Sequence, residues 1–319
     1  MQLYNTSKGV NHLQKIRRTK EIEGITVPGI INNGGHYFYI NVDVYEDGMS
    51  NCWELVDLNG LKNKLRSNWL NPSIPENESL SIHGLGMYTV QEAEWKFDKP
   101  KYYKHIRNKV KTLNPNFENI YEITSWQKQL AKKRQIMYMP RATNYYVERE
   151  MFYETIDGDA FSIFMKYEDK NYLVNLVVYK NGLVVCYFQA NELTFRFEEI
   201  SELFANGTFF TSFNEPTKII LSDLGEVTFS QVAYSTDIKD KYVELVDIYK
   251  KLKGEKTSLE ECKEAYYQYL EDPIEFYRQN LKVKYELVPE HERMFLGDMD
   301  SKDWDYQRII YRPDEKREV

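Results

Sequence analysis

The stretch YFYINVDVYEDGMSNCWELVDL (37–58) alternates apolar and polar side chains, breaks at Glu46-Asp47-Gly48 and then resumes. Such alternation places every second side chain on one face of a strand, and Asp-Gly between two such runs is a two-residue hairpin signal. NYLVNLVVYKNGLVVCYFQANEL (171–193) repeats the pattern around Lys180-Asn181-Gly182. Each predicted hairpin is followed by residues on one helical face: Leu61, Leu65 and Trp69 in the first case, Ile200, Leu203 and Phe204 in the second. Two further reversals follow, at Gly84-Leu85-Gly86 and Asp223-Leu224-Gly225, and each leads into a longer helical stripe. In the first of those stripes Tyr103, Ile106, Val110 and Leu113 share a face.

The two halves align, which marks an internal repeat. Tyr45, Gly48 and Cys52 match Tyr179, Gly182 and Cys186 at an offset of 134. Leu85, Gly86 and Thr89 match Leu224, Gly225 and Thr228 at an offset of 139, which also pairs YKHIRNKVKTL (103–113) with YVELVDIYKKL (242–252). The five-residue change is expected between Leu58 and Leu80, in a loop. Strands are also expected ahead of each copy, near 24–32 and 147–167, the latter turning at Asp157-Gly158. The predicted fold is α+β: a tandem duplication of a hairpin–helix–hairpin–helix unit with mostly antiparallel sheets, plus C-terminal helices. The expected units are a first copy over 1–113, a basic linker over 114–146 with a short helix near 125–136, a second copy over 147–254, and C-terminal helices with a charged tail over 255–319. In the last unit Ser258-Leu-Glu-Glu261 reads as a capping box opening a helix to about Leu270. Ile274, Tyr277 and Leu281 mark a second helix, and the chain after Pro289 is expected to be loose or partner-dependent.

The segments PGIINNGGHYFYINVDVYEDG, NCWELVDL, LSIHGLG and LNP, spread over 28–115, resemble an uncharacterised family of bacterial proteins, a domain of unknown function. The resemblance implies a bacterial or phage source and carries no reaction or ligand. The second copy joins it only through the internal repeat.

A two-residue turn at Asp47-Gly48 fixes the register of the first hairpin. Val44 then faces Asn51, Val42 faces Trp53 and Ile40 faces Leu55 on an apolar side. Tyr45, Asp43 and Asn41 face Ser50, Cys52 and Glu54 on a polar side flanked by Tyr39. The same register leaves the second hairpin apolar on both sides, with Val177 and Phe188 in place of Asp43 and Glu54, and predicts burial of both faces. The polar side of the first hairpin reads as a water-facing surface or as a binding surface in which Tyr39, Asn41 and Tyr45 supply amphipathic contacts. A third reading makes Asp43 and Glu54, with His83 at the Gly-Leu-Gly reversal, the acid–base groups of a hydrolase or nuclease. Diagonal cross-strand neighbours lie about 7–8 Å apart, a spacing such chemistry can use.

Composition narrows this further. Aromatic residues make up 15% of the 319, including 26 tyrosines, a type suited to interfaces because the ring desolvates easily while the hydroxyl still pairs. Cys52, Cys186 and Cys262 have neither disulfide-framework nor zinc spacing, and no cofactor or metal is expected. No apolar run reaches membrane-helix length and the N-terminus lacks a signal-peptide core, so a cytoplasmic location is expected. Asp298, Asp300, Asp303 and Asp305 lack the glycine and terminal glutamate of a calcium loop. His36 precedes the first strand, while His12, His105 and His291 have no suggestive neighbours.

The net charge of −7 is uneven: −3 over 1–98, +8 over 99–134 and −12 over 135–319. The basic stretch comprises Lys101, Lys104, Arg107 and Lys111 on the helix, then Lys128, Lys132, Lys133 and Arg134 beside Trp126 and Tyr121. It suits phosphates, an acidic partner or the chain's own acidic half, while the overall charge argues against general nucleic-acid coating. The expected function is a non-enzymatic protein-binding module of immunity, anti-defence or regulatory type. Its partner is expected to be another protein, such as a basic toxin or defence component, met by Tyr39, Asn41, Tyr45, Trp126, Lys132, Lys133 and Arg134. The alternatives are the hydrolase or nuclease reading and nucleic-acid binding through 99–134.

Overall fold

The computed structural model describes residues 22–134, 156–189, 191–297 and 304–315. The expectations for His12, for 135–155, for Asp298, Asp300 and Asp303, for the Arg134 side chain and for 316–319 lie outside the described residues. The first copy runs β1 (Gly24–Asn33), β2 (His36–Tyr45), β3 (Ser50–Asn51), β4 (Leu55–Val56), α1 (Leu58–Arg66), β5 (Leu70–Asn71), β6 (Ser79–Ile82), β7 (Gly86–Trp95) and α2 (Lys99–Leu113). After α3 (Ser125–Arg134), the second copy repeats the series: β8 (Gly158–Tyr167), β9 (Lys170–Tyr179), β10 (Leu183–Phe188), β11 (Asn191–Arg196), α4 (Phe197–Ala205), β12 (Phe209–Phe210), β13 (Thr217–Leu221), β14 (Gly225–Ser235) and α5 (Ile238–Lys253). The chain ends in α6 (Ser258–Glu271), α7 (Glu275–Leu287), a 3-10 helix (Glu290–Phe295) and α8 (Trp304–Tyr311).

β1 pairs with β2, and β8 with β9, as long antiparallel hairpins. The free edge of β2 is shared by β6, parallel at Tyr37–Tyr39, and by β3 at Asp43–Val44. β9 is shared in the same way by β13 and β10. The two parallel contacts are reached by crossovers containing α1 and α4, as parallel pairing requires. The chain is thus an α+β tandem duplication, mostly antiparallel, with C-terminal helices.

Among the described residues the copies share one sheet of fourteen strands, because β7 pairs antiparallel with β14 from Gly86 opposite Ser235 to Trp95 opposite Gly225. Two hydrogen bonds seal the ends of this seam almost symmetrically: Thr236 N to Leu85 O and Lys96 N to Leu224 O, both 2.7 Å. Gly86 and Gly225 occupy the same place in the repeat and both have φ 151°. A Cβ on Gly86 would overlap the Tyr234 carbonyl oxygen, and one on Gly225 the Glu94 carbonyl oxygen. On one face of the sheet Val27, Ile31, Ile40 and Val42 lie with Tyr102, Ile106 and Val110 of α2 in the core. On the other, Tyr88 of the first copy packs on Phe164, Phe213 and Phe229 of the second at centroid distances of 5.2, 5.6 and 5.8 Å. Tyr88 also donates to the Thr211 carbonyl at 2.7 Å. Each ring so buried contributes about 1.5–3 kcal/mol, so the seam is held by side chains as well as by backbone.

Several details differ from expectation. Both hairpins turn through three residues: Gly48 N bonds Tyr45 O, Gly182 N bonds Tyr179 O, and both glycines have positive φ. This is the glycine-bulge loop, and it slips the register by one residue. Val44 therefore faces Ser50, and Asp43 faces Asn51. In the second hairpin Val178 faces Val184, which buries one side while the other keeps Tyr187 exposed. The five-residue change lies before Leu58, since Leu58 and Phe197 open equivalent helices already 139 apart; the added residues lengthen β10 and β11. Glu168 and Asp169 make the β8–β9 reversal, and Gly158 opens a strand. Trp69 lies beyond the end of α1. The capping box is Thr257 with Glu260, one residue earlier than expected. The segment after Pro289 is not loose within the described residues: α8 buries Tyr306, Ile309 and Ile310 against Cys262, Leu281 and Tyr285.

Gly86→Ala and Gly225→Ala each force a Cβ into facing backbone at a φ that suits glycine, and are expected to cost roughly 2–4 kcal/mol in denaturant unfolding. Gly207→Ala, with positive φ but open space around it, is expected to cost only about 1 kcal/mol.

Candidate functional site

Asp240, Glu244 and Asp247 are spaced i, i+4, i+7, which puts three carboxylates on one stripe of α5. Each accepts a hydrogen bond from the C-terminal segment. Glu290 N donates to Asp240 at 3.0 Å, His291 Nε2 lies 2.9 Å from Glu244 Oε2, and Ser258 donates to Asp247 from its backbone N at 2.9 Å and from its hydroxyl. The equivalent positions of α2, at the offset of 139, are Lys101, His105 and Asn108. That stripe offers no carboxylate. His105 Nε2 instead lies 3.8 Å from Asp223, in the reversal of the other copy, and burial holds its pKa below the usual histidine value.

Beneath Glu244 lies Lys241, fully enclosed, at the position Tyr102 holds in the first copy. Its ammonium donates to Glu244 Oε2 at 2.7 Å and sits 4.0 Å from the centroid of the Phe161 ring. Burial lowers the Lys241 pKa against the pull of Glu244. Burial pushes Glu244 up, but bonds from His291 and Lys241 hold it below the usual glutamate value. Glu244, His291 and Glu292 offer ligand atoms within 4.8 Å of one another, a set with metal-ligand character, though Lys241 already neutralises Glu244. Glu292 has no ion pair or side-chain hydrogen bond among the described residues, and burial followed by the charge of Glu244 raises its pKa.

These groups open into a cleft of about 970 Å³ between the copies and the C-terminal segment. The first copy contributes Phe38, Asn41, Trp53 and His83; the second contributes Asp159, Phe161 and one side of α5; the C-terminal segment contributes Glu260, Glu292 and Phe295. Trp53 stands out of the ladder because the chain breaks after β3: Cys52 N bonds Glu54 O, Trp53 has φ 67° and its ring is 58% exposed. It leans on Phe38 with centroids 5.9 Å apart.

Tyr39, Asn41 and His83 line this cleft, with Tyr39 half-buried and its pKa raised by burial and then by Asp223. Tyr45 lies against Gly24 outside it, as Tyr179 lies against Gly158. The carboxylates proposed as an acid–base pair are each engaged elsewhere: Asp43 accepts from Asn51 Nδ2 at 3.1 Å and Glu54 pairs with Lys64 at 2.6 Å. Trp126, Lys132 and Lys133 are exposed on α3, away from the cleft lining. Burial pushes the thiols of Cys52, Cys186 and Cys262 up to about 11, 12 and 12, which leaves no reactive thiolate among them. His291, unremarkable in sequence, proves to be a central partner. The signal that could have found it is the carboxylate stripe of α5, three acceptors at helical spacing on one face.

A second surface is apolar. Among the described residues, ten of the seventeen exposed large apolar side chains fall between Tyr267 and Tyr311. Phe276, Val283 and Leu287 share one outer stripe of α7, and Tyr267, Leu270 and Ile274 cluster at the α6–α7 corner.

A family model described as Domain of unknown function (DUF7638) matches residues 12–117 and again 146–256, together more than half of the chain. The chain belongs to that family. A second model, Domain of unknown function (DUF7639), matches residues 257–318, so the carboxylate stripe joins a DUF7638 copy to the DUF7639 segment. No curated protein and no solved structure matches the chain. No helix among the described residues is long and apolar enough to cross a membrane.

Two outcomes test the electrostatics of this junction. Glu244→Ala strands the buried Lys241 ammonium and is expected to cost about 3–5 kcal/mol at pH 7, while adding Lys241→Met restores much of the loss. Glu292→Gln is expected to stabilise at neutral pH. The folded state raises the Glu292 pKa, so its stability contribution is full below the ordinary glutamate range and is lost as pH rises through the folded value. The two proteins should therefore unfold alike in acid and diverge above it.

Proposed function

We propose that this DUF7638 protein is a protein-binding module that docks its partner on the outer face of the DUF7639 helices. The observation that carries this reading is the concentration of exposed apolar side chains on 267–311. Soluble chains rarely leave such side chains clustered unless something covers them, and fully desolvated aromatic anchors supply most of the energy of an interface. Phe276, 71% exposed, and Trp304 are anchors of that kind. The segment 257–318 carries 16 acidic and 10 basic side chains, a net acidic balance that favours a basic partner. Occlusion of such a partner is the mode of action of an immunity, anti-defence or regulatory protein.

The test is the double substitution Phe276→Asp with Val283→Asp. Both side chains face solvent, so the unfolding free energy is expected to stay within about 0.5 kcal/mol of the parent. A partner captured by the parent, purified and titrated, is expected to bind the variant at least about 30-fold more weakly, the equivalent of a 2 kcal/mol anchor. Equal affinity for both proteins would remove this face from the interface.

A further inference from the structure

We propose that the cleft between the two DUF7638 copies binds an organic cation, an ammonium or guanidinium group, using Trp53 from the first copy and Glu292 from the C-terminal segment. The site stands on observations separate from the apolar docking face. Five carboxylates line the cleft, Asp159, Glu244, Asp247, Glu260 and Glu292, against one lysine, Lys251. Three are committed within the fold: Glu244 to Lys241 and His291, Asp247 to Ser258, and Glu260 to its capping box with Thr257. Asp159 is exposed and accepts from Ala160 N, while Glu292, half-buried, has no ion pair or side-chain hydrogen bond among the described residues, the position of a carboxylate waiting for a positive charge.

Trp53 supplies the second half of the site. At φ 67° the chain turns the Trp53 side chain out of the ladder and into the cleft lining, where it stays exposed and reachable by a ligand. The indole face attracts cations through its quadrupole, and more strongly where water is partly excluded. The chain already uses this recognition chemistry internally: the Lys241 ammonium is held by one carboxylate, Glu244, and one aromatic ring, Phe161. The acidic lining is also specific to this cleft rather than inherited with the repeat. At the positions of Glu244 and Asp247, the other copy has His105 and Asn108. A volume of about 970 Å³ is far larger than one inorganic ion and takes a whole polyamine or a short run of basic peptide.

The experiment is calorimetric titration of the full chain with two probes, spermidine and a terminally blocked peptide of Arg and Lys, at low and at raised salt. At least one probe is expected to bind, with affinity falling as salt rises. Glu292→Gln and Trp53→Gly are each expected to weaken that binding at least about tenfold. Glycine accommodates positive φ and Glu292→Gln removes an unpaired buried charge, so both variants should fold; thermal melts run alongside verify it. Binding of spermidine alone points to a free polyamine, and binding of the peptide alone to a segment of a protein; either upholds the cation site. Binding of neither probe overturns it. So does binding that either folded variant leaves unchanged.

Discussion

Everything distinctive in this molecule depends on one strand-to-strand contact, the antiparallel seam of β7 with β14. Without it the chain would be two small sheets on a tether. With it, the helix of each copy lies beside the reversal of the other: Lys241 and Glu244 of α5 beside Gly84, His105 and Lys109 of α2 beside Asp223. The seam tolerates no side chain at Gly86 or Gly225, which explains why the shortest recognisable signature of the repeat, Leu-Gly at 85–86 and 224–225, is also the most constrained.

Built on that near-symmetric frame, the two long helices have opposite chemistry. Along the same stripe α5 offers three acceptors and α2 offers Lys101, His105 and Asn108. The C-terminal segment brings donors, from Glu290 N, His291 and Ser258, and so can seat on α5. This choice fixes where the cleft lies, because Glu292 follows His291 and is carried into the lining by the same contact. Directional hydrogen bonds of this sort specify one arrangement, whereas an apolar seat would tolerate sliding.

Much of the fold could be read from the residue pattern. The turns at Gly48 and Gly182, the stripes Leu61–Leu65 and Ile200–Phe204, and the repeat itself follow from local periodicity and from glycine chemistry. The one-residue slip in both hairpins did not, because Asp-Gly and Asn-Gly serve two- and three-residue loops alike. The cleft was legible only in fragments. Tyr39, Asn41 and His83 stood out as polar or aromatic residues in a strand and a turn, whereas the Glu244–His291 contact joins residues 47 positions apart and exists only once the last segment has docked. Local spacing cannot encode such a contact. Trp53 was assigned to an apolar strand face, but the ladder on β2 ends at Asn51 and the chain turns outward at Trp53, whereas the second copy continues its strand through the equivalent Tyr187.

The seam has a consequence for how such a chain comes to exist. A lone copy bearing the β7 edge would close on a second lone copy as a dimer, present or absent according to concentration, with every residue on one side duplicated on the other. Joined in one polypeptide, the same closure is intramolecular and survives dilution. It is also released from identity: Tyr88 and Val227 are repeat partners, yet one is a large ring that crosses the seam and the other a small side chain. The molecule is in effect a heterodimer whose subunits cannot be lost or exchanged, and that permanence is what allowed one half to specialise as the seat for a third segment.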